Sequence, residues 1–311
     1  MSVRFRLPAQ NAGVAEWYTR PPQKRFPKRD VGSSPTSGTC LKAGEIFSLF
    51  KFSEMEKFKK ILSEEMGVAD EVINMTNDVY ALICESIKNK EYANDGTGTV
   101  TTSFKGCKIT ITYEYLNFNT PEEYKYASNG KLGYGWSVFI DRRLSLMRVQ
   151  VCAVSGTILK GMALDTIQHE IEHIYQQCLS QKEFGDSSRY AGIRKDMESK
   201  DQSISKAGRI MYGCLKSEQE GYANGLYSFL MSQHGPKAEN SLQKSPAWAL
   251  YEEMKNILSE VKTNKVLENY LLTRYGATIK ELEYRVNNFL RRIARVVMKV
   301  NYDKMSKQNW R

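Results

Sequence analysis

Residues 159–179 read LKGMALDTIQHEIEHIYQQCL, and the fold is set from this stretch outward. Leu164, Ile167, Ile171 and Ile174 recur at helical spacing among Asp165, Thr166 and Gln168, which predicts one helix over 159–179. His169 and His173 lie four residues apart, so their imidazoles stack on one face, where two nitrogens can reach one metal ion. Glu170 projects beside them, toward a water on such an ion. Zinc lowers the pKa of bound water to about 7. A carboxylate within reach can take that water's proton during attack on a carbonyl carbon and return it to the leaving amine. The chain has only 3 histidines, and two of them stand in this motif.

Upstream of the helix, 55–66 and 68–91 are expected to be helical, with Val72, Ile73, Val79, Ile83 and Ile87 near one face of the second. Strands are expected at 99–104 and 108–118, separated by the hairpin signal Lys105-Gly106. A Gly-rich loop (Asn129, Gly130, Gly133, Gly135) leads into a third strand at 136–140, followed by a turn at Asp141-Arg142-Arg143. A fourth strand, 146–153, alternates Met147, Val149, Val151 and Ala153 with Arg148, Gln150 and Cys152. From 159 onward the pattern is helical, with loops near 180–190 and 233–246. The expected fold class is α+β: a small, mostly antiparallel sheet, the histidine-bearing helix and a helical C-terminal extension.

About fifty residues after His169-Glu170-Ile171-Glu172-His173 comes Glu220-Gly221-Tyr222-Ala223-Asn224. The pair of motifs, HEIEH and then ExxAN, resembles the zincin metallopeptidases of the gluzincin kind. The resemblance implies that His169, His173 and Glu220 bind Zn2+ and that Glu170 is the general base of a peptidase acting on a peptide or protein substrate. It also implies that Asn224 orients a ligand histidine and that the small Ala223 lets two helices approach. Glu218 is the near competitor for third ligand, with His234 a weaker candidate beside Gly235-Pro236. Two residues depart from the family pattern. Glu172 is charged where an uncharged residue is usual, and Gly221 and Gly225 each cost a helix about 1 kcal/mol against alanine. Both bear on activity more than on metal binding. The strand at 146–153 is the expected partner for an extended substrate backbone, although alternation alone equally fits an ordinary half-buried strand. Tyr212, Tyr222 and Tyr227 are candidates for polarising an oxyanion.

Charge locates the remaining features. The net charge is +10, and the two ends account for all of it: residues 1–54 carry nine Lys/Arg against four Asp/Glu, and residues 281–311 eight against three. The first 54 residues are rich in Pro, Gly, Ser and Arg. Val3-Arg4-Phe5 and Gly32-Ser33-Ser34-Pro35 resemble translated tRNA T-loops, so this segment is expected to be a disordered or spurious extension. A start at Met55 or Met66 and a prophage or mobile-element origin are the corresponding expectations. The catalytic domain is expected at 55–232 and a helical extension at 233–311. In the extension's last helix Leu282, Val286, Phe289, Ile293, Val296 and Val300 form an apolar face, flanked by Arg285, Arg291, Arg292, Arg295 and Lys299. That basic face carries the alternative reading, a non-catalytic zincin-like or helical module touching nucleic acid or an acidic partner. No nucleic-acid motif accompanies it, so nucleic acid is not the expected partner. The 6 scattered cysteines, with no CxxC, suit reduced thiols, and with no signal-like or membrane-spanning apolar run a cytoplasmic location is expected.

Overall fold

Two tight turns lay down the sheet. Lys105 (φ 48°) and Gly106 (φ 78°) are both left-handed, as a two-residue type I′ hairpin requires. They join β1 (Gly96–Phe104) to β2 (Cys107–Phe118) in an antiparallel pair. Ser155 and Gly156 repeat that geometry between β4 (Leu144–Val154) and the short β5 (Thr157–Ile158). A computed structural model describes residues 70–90, 95–128, 135–141, 144–180, 187–233 and 239–308, which belong to one compact unit. The expectations for 1–69, for the loop at 129–134, for Arg142-Arg143 and for His234 lie outside the described residues.

The main strand order is β1-β2-β4-β3, with β3 at Gly135–Asp141. β2 pairs with β4 in parallel and β3 pairs with β4 antiparallel, so the sheet is mixed. The strand expected to meet substrate, β4, is internal; β1 and β3 are the edges, β3 being the one beside β4. A short helix missed in the sequence, α2 (Pro121–Ser128), follows β2. One face of the sheet buries Ile109, Ile111, Tyr113, Met147, Val149 and Val151 against α1 (Asp70–Asn89) and α3 (Lys160–Ser180).

After α3 the chain is helical: α4 (Ser187–Met197), α5 (Gln202–Gly213), α6 (Lys216–Ser232), α7 (Glu239–Leu242), α8 (Pro246–Val261), α9 (Lys265–Tyr275) and α10 (Ile279–Gln308). Local signals start and stop them. Asp201 and Asn264 cap the first turns of α5 and α9, Ser245 caps α8 with Pro246 following, and Gly276 ends α9 in the left-handed region. Helices on both sides of position 232 contribute to one apolar cluster, in which Leu226 and Leu230 of α6 join Met254 of α8 and Phe289, Ile293 and Val296 of α10. The fold is thus α+β, with α3 between a sheet-side core and a helical core. No helix among the described residues is long and apolar enough to cross a membrane.

Several basic side chains of α10 have partners inside the protein. Arg285 donates to Glu281 and to the Cys214 carbonyl, Arg292 to Glu220, and Lys304 to the Gln233 carbonyl, while Lys299 pairs with Asp303.

Candidate metal centre

The two faces of α3 separate apolar from polar work. Ala163, Ile167, Ile171 and Ile174 enter the sheet-side core, and Asp165, His169 and His173 follow one another at four-residue spacing along another face. That polar face meets α6, which runs antiparallel to α3 at very close range. A Cβ on Gly221 would lie 2.9 Å from the His169 ring, and one on Gly225 would lie 2.7 Å from the Asp165 carbonyl oxygen. The two glycines that weaken α6 as an isolated helix therefore let its backbone touch the histidine helix. Ala223, expected in that role, is buried in the helical core instead.

Three side chains converge there. His169 Nε2 and His173 Nε2 are 3.0 Å apart, and Glu218 places Oε2 3.5 Å from the first and Oε1 3.7 Å from the second. This group of two histidines and a carboxylate could hold a metal ion. Glu218 is 2 % exposed, and its Oε2 has no hydrogen-bond partner among the described residues. A buried carboxylate whose two oxygens each face an imidazole nitrogen, one of them without a hydrogen-bond partner, is what a cation-binding donor set presents.

The carboxylate brought to the histidine pair is thus Glu218, not Glu220. Residues two apart on a helix point roughly 200° away from each other, so only one of the two can face the histidine pair. Glu218 shares its face with Gly221, Tyr222 and Gly225, and the Tyr222 ring stands edge-on to His169 with centroids 4.6 Å apart. Glu220 turns toward α10, where it accepts from Arg292 Nη1 at 3.2 Å, with Lys216 Nζ at 3.8 Å and Gln176 Nε2 at 3.3 Å. Asn224 lies on that second side and hydrogen-bonds Glu172. Glu172, the unusual charge in the motif, is buried but also accepts from Gln176 at 3.0 Å, which accounts for its tolerance.

Negative charge dominates the electrostatics. Burial would raise the Glu218 carboxyl, but the two imidazoles that face it, His169 and His173, outweigh it and hold the group far below the ordinary carboxylate range. Burial lowers His173, yet Glu218, Glu170 and Glu172 together push it up to about 9. Glu170 is displaced upward, chiefly by burial, against the opposing pull of the two histidines and a hydrogen bond from Ser137. Ser137 and Gly135 bring β3 over Glu170: a Cβ on Gly135 would lie 2.8 Å from Glu170 Cγ. The edge strand and the motif glutamate thus line one site. Tyr212 and Tyr222 are both near Glu218, whereas Tyr227 bonds Asp303 of α10. Tyr190 of α4, absent from the sequence expectations, donates to Glu218 Oε1 at 3.3 Å. No motif flags it, because its role arises only when α4 packs on α5 and brings the Tyr190 hydroxyl to Glu218.

Comparison of the chain with protein-family models, with curated proteins and with solved structures finds no match.

Proposed function

We propose that the protein is a single-zinc peptidase of the gluzincin kind, in which His169, His173 and Glu218 hold the metal and Glu170 is the general base. The observation that carries this reading is the convergence of Glu218 on the histidine pair beside a buried Glu170. Tetrahedral zinc with nitrogen and oxygen bonds near 2.1 Å spaces its ligand atoms roughly 3.4 Å apart. The two imidazole nitrogens are 3.0 Å apart, and each lies close to that figure from one oxygen of Glu218, His169 at 3.5 Å from Oε2 and His173 at 3.7 Å from Oε1. Two imidazoles and one carboxylate are also a donor set used at catalytic zinc sites. Bound there, the ion would supply a Lewis acid and lower the pKa of a water.

The chain's own residues do the rest. Glu170 accepts the proton of the attacking water on its carboxylate, and its upward displacement by burial suits a group that must also give that proton back to the leaving amine nitrogen. Among the described residues β3 pairs only with β4, and its outer edge is where an extended peptide would add as a further strand. A backbone seated on that edge passes beside Glu170, because Gly135 and Ser137 of the same strand touch it.

The test is Glu170→Gln in the full chain, assayed on a peptide library with zinc content measured in parallel. Zinc retained at wild-type stoichiometry with cleavage lost is the expected outcome. Cleavage at the wild-type rate by this variant would remove Glu170 from the chemistry.

A further inference from the structure

The two oxygens of Glu218 are treated differently by their surroundings. Oε1 accepts a hydrogen bond from the Tyr190 hydroxyl, whereas Oε2 is buried and has no hydrogen-bond partner among the described residues. Oε2 lies 3.5 Å from His169 Nε2, and Oε1 lies 3.7 Å from His173 Nε2. Tyr190 reaches this point from α4, a helix that contributes nothing to the donor set. Its ring lies under the Arg194 guanidinium, with Cζ 5.0 Å from the ring centroid, and its phenol oxygen is hydrogen-bonded by the same arginine. A phenol that accepts from a cation is a stronger donor in turn. Tyr212 of α5 hydrogen-bonds the same carboxylate, and the two tyrosine rings are 6.2 Å apart.

We infer that Tyr190 is a positioning residue for the metal: its hydroxyl bonds Oε1 and, together with Tyr212, holds the Glu218 carboxylate turned so that Oε2 faces His169. This rests on the metal-site reading above and adds to it a residue that orients the carboxylate ligand. Without the hydroxyl, one of the carboxylate's two tyrosine anchors is lost, and it can rotate. Partners that orient metal ligands in this way commonly account for about 10- to 100-fold in metal affinity.

The test uses the full chain, stripped with chelator and titrated with Zn2+ and separately with Co2+ against a chromophoric competitor. Tyr190→Phe keeps the ring and removes only the hydroxyl, and the melting temperature of the stripped protein checks its fold. The expected result is Zn2+ binding at least about tenfold weaker than wild type, an altered visible spectrum of the Co2+ protein, and no tight binding by His169→Ala. Wild-type affinity and an unchanged Co2+ spectrum in Tyr190→Phe, with binding still lost in His169→Ala, would overturn the role of Tyr190 alone. Absence of binding by the wild-type protein would overturn the metal-site reading and this inference with it. Should Tyr190→Phe lower the melting temperature of the stripped protein, Arg194→Met, on the exposed side of the ring, takes its place. A several-fold loss of affinity is then expected, and no loss overturns the inference.

Discussion

Asp165 sits one helical turn before His169 with its Oδ1 buried and without a hydrogen-bond partner, and burial pushes its carboxyl up to about 8. An unfolded Asp titrates near 3.9. Between those values the folded chain holds a proton that the unfolded chain releases. The stability tied to this group is therefore complete below about pH 4 and is lost as pH rises toward 8. Asp165→Asn cannot ionise, so its advantage over wild type should be small at pH 4 and grow by about 1.4 kcal/mol per pH unit up to pH 8. Urea unfolding of stripped protein across that range measures it, and a gap independent of pH would contradict it. The same scale separates Glu218 from Glu220. Both are glutamates at the start of one helix, and sequence spacing to the histidines fits either. Only the close approach of Gly221 and Gly225 to α3 tells which face of α6 is turned inward.

At the scale of elements, α3 was legible because its signals agree: apolar residues at helical spacing on one side, and two histidines and an aspartate stacked on another. The strands 108–118 and 146–153 were legible from alternation, and the Lys105-Gly106 turn from its residue types. What alternation could not give is strand order. A strand between two others and a strand at an edge can carry the same pattern, so β4 was expected to meet substrate where β3 forms the edge beside it. The glycines of α6 show the same limit from the other side, since helix propensity counts each as a cost and cannot see the neighbouring helix. Gly221→Ala puts a methyl 2.9 Å from the His169 ring. Despite better helix propensity, it should destabilise the protein by about 1–3 kcal/mol and weaken metal binding. Chemical unfolding and a metal titration check both, and a stabilised variant with unchanged affinity would mean the helices are not in contact here.

Across the whole molecule, the site is held by long-range ties that no local pattern announces. Arg292 of α10 reaches Glu220, which shares Gln176 with Glu172 of the metal helix. The basic C-terminal helix, whose charge suggested an external partner, is thereby fastened to the centre of the protein. α4, which carries Tyr190, is tied to α9 at Asp196. Its Oδ2 accepts from Tyr270 at 2.9 Å, Tyr275 at 2.5 Å and Arg274 Nε at 3.3 Å. Burial would raise the Asp196 carboxyl, but these hydrogen bonds outweigh it and hold the group below the usual carboxylate range. The sign is opposite to that of Asp165: the stabilisation is present above the unfolded value near 3.9 and is lost as pH falls through the folded value. Asp196→Asn should therefore cost about 1–3 kcal/mol at pH 7, with the difference from wild type closing in acid. Unfolding curves at pH 7 and in acid report it, and an equal cost at both would contradict the ionic origin.

Whether Glu218 completes a metal site with His169 and His173 is read from the metal content and Zn2+ affinity of the purified full chain beside Glu218→Gln and Glu220→Gln. Wild type should carry about one ion per chain, Glu220→Gln should retain it and Glu218→Gln should lose it. Metal kept by Glu218→Gln and lost from Glu220→Gln would contradict Glu218 as the third ligand.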